Sequence, residues 1–579
     1  MVKNIKLPGY RNIKTSIGVF ICVLIYSWLG RDGTIFAVLS VIICMQDNSR
    51  KSVTEGIGRF LGTILGATFG TIFVFMNFDR FNFLIEYAFM TIGLVLLIHL
   101  SSLLNLKRSI GIGAVVYAVI VLGADSSPFM YSINRTIDTT IGIVIAVLLN
   151  KYFLKPKGDI MNYEEAISHI QSQNTFGMKL DLYRIETLMK HLGNPQDKLK
   201  FVHIAGTNGK GSTSSFCFHI LKETGQKIGL FTSPYIQRFT ERIRVNDEEI
   251  PEEEVAKITE KIVKVVNKYP KNEERPTWFE IVTAISFVYF YEQKCDIVVL
   301  EVGLGGNLDA TNIIKESLVS IITAIGYDHM NVLGNTLEEI AEKKAGIIKK
   351  GGNAVVYPQA ENILNVFRDK AEKENANLNI VNENNIERIS YSLEGQTFNY
   401  KNMKNLEISL LGEYQVYNAV TAIEALEKIV SEEQIREGLK KTTWAGRMEL
   451  LSKTPIFFLD GAHNTHGVLA LAENLKTLLN LKKDEKIVFI LGVLKTKDPT
   501  EMLRIIKDIA DTIVCVTPNN DRAMSSEELK DLVNKEGIQS YKADSIEEAI
   551  GFARAKNLPI CAFGSLYYIG AVRDYFGLK

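Results

Sequence analysis

The run GTNGKGST at residues 206–213 gathers the residue types that hold phosphate. Its glycines let consecutive backbone N–H groups converge on phosphate oxygens, and a helix starting there adds a favourable dipole. Lys210 brings a point charge for β- and γ-phosphates, and Ser212 or Thr213 is placed to cap the helix near a metal. The spacing departs from the strict G-x-x-x-x-G-K-[ST] pattern, so a plain tight turn stays open. Five more segments carry chemistry. Ser233 and a proline follow a strand in TSPYIQRFTERI (232–243), the strand end at which α/β sites form. Glu301 ends the apolar run of DIVVLEVGLGGNLDATN (296–312), where a carboxylate suits Mg²⁺, a hard cation that takes oxygen ligands, or caps a loop. Asp328 and His329 emerge from a strand in IITAIGYDHMNVLGNT (321–336), and His329 alone also reads as structural. Lys343 and Lys344 lie on a helix in TLEEIAEKKAGIIKKG (336–351), a pair that commonly faces solvent. Asp460, His463 and Asn464 follow a strand in FFLDGAHNTHG (457–467).

The elements that position these groups alternate. FVHIA (201–205) reads as a strand, 213–225 as an amphipathic helix ending in Gly225, and KIGLF (227–231) as the next strand. That βαβ unit predicts a parallel sheet. A small strand-rich insertion is expected near 378–411. Strands near 456–460, 487–491, 512–516 and 559–563 alternate with helices in a second, Rossmann-like α/β domain. The active site is expected in the cleft between the two.

The first quarter is different. A chain of 579 residues exceeds one domain, and 1–154 is apolar with few acids. Six runs, 13–29, 34–45, 57–76, 83–104, 110–123 and 133–154, predict a helical transmembrane bundle, although the second and fifth are short of the roughly 20 residues a span needs. With six spans and an internal N-terminus, the inner segments carry Lys3, Lys6, Arg11, Lys14, Arg50, Lys51, Arg59, Lys107, Arg108, Lys151, Lys155 and Lys157. Only Arg31, Arg80 and Arg135 lie outside, so both termini are expected in the cytoplasm. His99 and Asp138 are the intramembrane polar residues, read as transport groups or as helix-packing or interfacial ones. Gly58, Gly62, Gly66 and Gly70 mark a packing face. The patterns RNIKTSIGVFICVLIYSWLG, MQDNSRKSVTEGIGRFLGTILGATFG and RTIDTTIGIVIAVLLNKYF resemble the membrane part of the aromatic acid exporter family. KPKGD (155–159) reads as a polar linker. Net charge is zero, so nothing global points to nucleic acid. The six cysteines form no CxxC or Cys/His cluster, which predicts buried thiols rather than a zinc site or disulfides.

From Met161 onward the chain resembles the folylpolyglutamate synthase/dihydrofolate synthase family of Mur-type ligases. The resemblance rests on LGNPQ (192–196), GTNGKGST, TSP, WFE (278–280), EVGLGG, LDATN, DH, LGNT, KAGIIK (344–349), GRME (446–449), DGAHN and GSLY (564–567), in that order. It implies a P-loop-type ATP-binding domain at 161–447 and a C-terminal ligase domain at 448–579, after a transmembrane domain at 1–154 and a linker at 155–160. It implies that Gly206, Thr207, Asn208, Gly209, Lys210, Gly211, Ser212 and Thr213 hold the ATP phosphates. Asn418 and Arg447 would contact the nucleotide, and Ser233, Glu301 and His329 would bind Mg²⁺. Lys344 matches a lysine that the family carbamylates. Asp460 and His463 would face the reaction centre with Lys210 and Lys344. Asp309, Ala310, Thr311 and Ser565 would line the substrate side. Asn307, Tyr414, Ala445, Thr465 and Thr496 depart from the usual Arg, His, Pro, Pro and Asp. The expected activity is ATP-dependent addition of L-glutamate to folates, to dihydropteroate, or to both, through an acyl phosphate. A monomeric ligase part is expected on the cytoplasmic side of a lipid-embedded segment. The alternatives are a membrane-tethered cell-wall Mur ligase, which lacks support because no UDP-binding domain precedes the loop, and an exporter-coupled ATPase, for which no ABC signature is evident.

Overall fold

The computed structural model describes residues 10–46, 49–76, 82–104, 106, 109–123, 127–153, 161–173, 181–270, 274–495 and 499–578. The predicted linker at 155–160, Lys3, Lys6, Arg80, Lys107, Arg108 and Thr496 lie outside the described residues. The chain divides into two compact units, Met1–Ile160 and Met161–Lys579.

The first unit holds six helices among the described residues: α1 Tyr10–Leu29, α2 Thr34–Cys44, α3 Ser49–Phe75, α4 Phe83–Leu103, α5 Ile110–Gly123 and α6 Pro128–Tyr152. They fall on the six apolar runs, with α3 and α6 starting earlier than the runs did. Three segments, Arg11–Leu29, Ser52–Phe75 and Pro128–Tyr152, are long and apolar enough to cross a membrane. The 11 residues of α2 rise only about 16 Å, short of a ~30 Å hydrocarbon core. The unit is apolar outside and charged inside. Phe20, Trp28, Phe75 and Leu122 are exposed, while Lys14, Arg59, Arg135 and Asp138 are buried, an arrangement suited to lipid rather than water. Lys14 donates to Asn150 Oδ1 at 2.9 Å and Arg59 to Ser40 Oγ at 2.8 Å. Asp138 accepts from Tyr26 at 2.6 Å and pairs with Arg31 and Arg135. Lys14, Arg59 and Arg135, counted above as loop charges, are therefore interior helix residues. Asp138 is the centre of a buried network, whereas His99 faces outward. Gly62, Gly66 and Gly70 sit against Ser109, Gly113 and Ile120, as the small-residue spacing predicts.

The second unit is built on three sheets. The first has strands β1 Phe201–Ala205, β2 Ile228–Phe231, β3 Ile243–Val245, β4 Glu248–Glu249, β5 Ile297–Glu301, β6 Val319–Ile322, β7 Asn353–Val356 and β8 Asn377–Ile380. Their order is β4-β3-β2-β5-β1-β6-β7-β8. β5, β1 and β6 are parallel and buried, as expected of a sheet covered on both faces. β5 lies between β1 and β2, so the crossover from β1 spans a strand and opens a crevice at the carboxyl ends. Strands β9 Ile386–Ser392, β10 Gly395–Tyr400 and β11 Met403–Ile408 form a separate antiparallel sheet. The predicted insertion at 378–411 is thus shorter at its start, because β8 joins the main sheet beside β7.

The third sheet has strands β12 Glu449–Lys453, β13 Ile456–Leu459, β14 Ile487–Leu491, β15 Ala510–Cys515, β16 Gln539–Lys542 and β17 Ile560–Phe563, ordered β12-β13-β17-β14-β15-β16. The four expected strands are present. β12 and β16 were missed because they are the half-exposed edges and lack a continuous apolar run. All six cysteines are free and buried.

Candidate active site

The phosphate-type loop leaves β1 and runs into the helix Lys210–Lys222. Each glycine is there because a Cβ has no room. At Gly206 it would strike Thr323 Oγ1, at Gly209 it would sit 2.6 Å from Asn418 Oδ1, and at Gly211 2.8 Å from the Trp444 ring. Gly209, with φ 88°, is itself the N-cap, a left-handed backbone that favours glycine. The helix therefore begins at Lys210, not at 213. Ser212 and Thr213 lie inside its first turn, and no side chain caps it. That turn holds no acid, so its free N–H groups and the helix dipole favour an anion. Lys210 Nζ folds back onto Gly206 O at 3.1 Å and Thr207 O at 3.2 Å. Gln415 donates to Ser212 Oγ at 3.2 Å and receives Asn418 Nδ2 at 3.0 Å, tying the loop to the helix Tyr414–Leu426.

Beside the loop, Glu301 ends β5 almost fully buried. Ser233 N–H donates to its Oε2 at 2.9 Å, and Oε1 accepts no hydrogen bond among the described residues. Burial raises its pKa, opposed by Lys210, that N–H and Arg447. Lys344, also buried, donates to Gly206 O at 2.8 Å. Burial and the neighbouring Lys210 push its amine down to about 7, so the pair with Lys343 is not a solvated face. His329 has a left-handed backbone, φ 50°, and stands half exposed beside Asp328.

The third sheet contributes the facing wall. Asp460 follows β13 and accepts N–H bonds from Met448 and Ala462, each 2.7 Å. Burial raises its pKa and Arg447 opposes the shift. Its oxygens are committed to the backbone, which makes it a positioning group. His463 Nδ1 bonds Gly461 O at 2.7 Å, and its Nε2 lies 3.7 Å from Asp328 Oδ2. Asn464 reaches Asp328 and Asn208, both at 3.4 Å, and His466 Nδ1 meets Asn208 Nδ2 at 2.7 Å.

One cleft is lined by Gly206 to Ser212, Ser233, Glu301, His329, Lys344, Asn418, Arg447, Asp460 and His463. Thr213, Asp309, Ala310, Thr311 and Ser565 do not line it and are buried. Asp309 caps its own loop, accepting from Thr311 N at 3.0 Å and Leu304 N at 2.8 Å. Ser565 caps the helix Leu566–Tyr575. Asp309 and Thr311 thus hold their own loop and Ser565 caps a helix, and the substrate-side role expected of them and of Ala310 stands as a proposal. Asp328, noted without a role, turns out to join the two walls. His466, Gln415 and Trp444 went unassigned, since only their contacts distinguish them. Among the described residues no three His, Cys, Asp or Glu side chains form a preassembled metal cage.

Residues 204–426 match the Mur ligase middle domain, 446–559 the Mur ligase glutamate ligase domain, and 7–153 the aromatic acid exporter family member 1. The dihydrofolate synthase/folylpolyglutamate synthase of Bacillus subtilis is 38% identical over 431 residues, 71% of this chain and 98% of that protein. The folylpolyglutamate synthase of Thermotoga maritima is 33% identical with a TM-score of 0.64, covering 72% of this chain and 96% of that one. E. coli FolC, solved in complex with DHPP and ADP, is 29% identical with a TM-score of 0.63, covering 71% and 97%. On this order of segments, this pair of sheets and this cleft, the chain belongs to the folylpolyglutamate synthase/dihydrofolate synthase family of ATP-dependent Mur ligases, and carries an exporter-like segment before the ligase.

Proposed function

We propose that the second unit adds L-glutamate to folates, to dihydropteroate, or to both, using ATP. The observation that carries this reading is the cleft, where an anion-seeking helix start, a buried carboxylate and a buried lysine face Arg447 and His463. The FolC relative, solved with DHPP and ADP, supports both the nucleotide and the acyl donor side. A carboxylate is a poor electrophile, so the γ-phosphoryl group of ATP is first transferred to it, releasing ADP. The glutamate amine then attacks the acyl carbon, and phosphate leaves. Gly206 to Ser212 orient the phosphates through backbone N–H groups, and Lys210 swings from its own carbonyls to offset phosphoryl charge. Asn418 and Arg447 hold the nucleotide. His463, carrying its proton on Nδ1, leaves Nε2 free toward Asp328 and the cleft. Enclosure between the sheets keeps water from the acyl phosphate.

The donor set fits Mg²⁺. The ion takes one or two protein oxygens and fills its shell with water and phosphate, so a preassembled cage is not required. Glu301 offers an unbonded carboxylate oxygen beside the loop, next to Ser233, and His329 lines the same cleft. Bound there, the ion supplies charge neutralisation for the phosphates. A neutral Lys344 amine, titrating at about 7, can add CO₂ with loss of a proton to form a carbamate anion. We assign 161–447 to the ATP-binding domain, 448–579 to the ligase domain, 1–154 to a membrane-embedded unit and 155–160 to the linker, with the ligase on the cytoplasmic side. The test is product formation by the purified chain with ATP, Mg²⁺ and glutamate, given dihydropteroate, tetrahydrofolate or neither. Glutamylated product and matching phosphate release with either acceptor are expected. Phosphate release unchanged by acceptor, without product, overturns the reading.

A further inference from the structure

His203 sits in the middle of β1, fully buried, paired on one side with Leu300 and on the other with Ser320. An imidazole is an expensive choice there, because Nδ1 has no hydrogen-bond partner. Nε2 lies 3.0 Å from Thr311 Oγ1. The Thr311 hydroxyl gives its one proton to Asp309 Oδ1 at 2.6 Å, so it accepts from His203, which must carry its proton on Nε2. Burial holds the ring well below its ordinary pKa, consistent with that neutral form. Asp309 in turn accepts from Leu304 N at 2.8 Å and from Gly303 N. The relay thus runs from the central strand to the loop that follows Glu301.

That loop has no slack on its far side. A Cβ at Gly306 would sit 2.7 Å from Lys343 O and 2.9 Å from Lys344 Cα. Asn307 N donates to Lys343 O at 2.9 Å. Whatever sets the height of the loop also sets Glu301 on one side and the Lys344 backbone on the other. We infer that His203 is a positioning residue for the active site, acting through Thr311 and Asp309 to fix the 303–309 loop between Glu301 and Lys344. It touches no substrate. The inference rests on the ligase reading for its kinetic consequence, but not for its structural one.

The test uses the full chain. His203→Leu removes the donor at similar volume and also removes the unpartnered Nδ1, so a histidine that only filled the core would be replaced without loss. The positioning role predicts an unchanged or higher Tm, kcat lowered about tenfold or more, and KM for ATP within about twofold. Thr311→Val should behave alike. His203→Gln, whose amide N–H can reach the same hydroxyl, should restore most of kcat. Hydrogen exchange at the Leu304 amide should quicken about tenfold in His203→Leu and not in His203→Gln. Unchanged exchange at Leu304, or wild-type kcat in His203→Leu, overturns the inference. If the wild-type chain makes no glutamylated product, the ligase reading has failed, and the exchange experiment still decides the relay.

Discussion

Two buried side chains of opposite charge type, Glu301 and Lys344, have their states decided by the same surroundings. Glu301 would be pushed toward its neutral form by burial, and Lys210 and Arg447 oppose that push. Glu301→Gln keeps size and the Ser233 bond but removes the negative charge. Product formation should fall by about a thousandfold, with Tm within a few degrees, and raised Mg²⁺ should not recover it. Near-normal turnover would place the metal elsewhere. Lys344 has its pKa lowered to about 7, so the amine is protonated below that value and neutral above it. If a carbamate is the working form, activity rises with pH through about 7, falls in CO₂-free buffer and returns with bicarbonate. Lys344→Ala should lose most activity and lose the bicarbonate response. A variant with wild-type activity would refute the carbamate. The same shift has a stability consequence. Between about 7 and the ordinary lysine range the unfolded chain binds the extra proton, so this group makes stability rise with pH there.

At the scale of elements, the loop-to-helix junction is the sharpest case of local sequence dictating local structure. Gly209 combines φ 88° with 2.6 Å of space toward Asn418. Gly209→Ala should cost about 1–2 kcal/mol in stability and raise KM for ATP more than it lowers Tm would suggest. ATP titration and thermal melts on one preparation check this, and an unchanged KM would mean the loop does not hold phosphate. Much of this layer was legible in advance. β1, β5 and β13 announce themselves as apolar runs, and Gly206, Glu301 and Asp460 sit where those runs end. What was not legible depends on partners far away in the chain. The helix was placed three residues late because Gly209, rather than a hydroxyl, ends the turn. β8 was put in the insertion because its alternating exposure marks an edge strand but not which sheet it joins. LDATN was legible as a motif, yet Asp309 and Thr311 proved to be the middle of a relay whose start, His203, lies 108 positions earlier than Thr311. Asp328 is visible at a strand end, but its role is not legible until His463 and Asn464 are brought to it across the cleft.

For the whole molecule, the division at Ile160 and Met161 governs what can be separated from what. Every residue lining the cleft lies after that point. Gln237 and Arg573 join the two sheet layers of the ligase within the same unit, at 2.9 Å, and Arg573 also pairs with Glu449. The first unit has the opposite surface economy, with Trp28 86% exposed and Asp138 fully buried, so it needs lipid or detergent to stay single. A chain of residues 161–579 should therefore be soluble, fold cooperatively, and form glutamylated product at rates within about twofold of the full chain, as expected of a domain with its own core. The full chain should fractionate with membranes. Protease accessibility in inside-out and right-side-out vesicles then checks the orientation. With both ends of the first unit in the cytoplasm, the ligase is cleaved only in inside-out vesicles. Aggregation of 161–579, or activity that returns only when residues 1–154 are restored, would show that the membrane unit completes the active site, and the two units would then have to be treated as one machine.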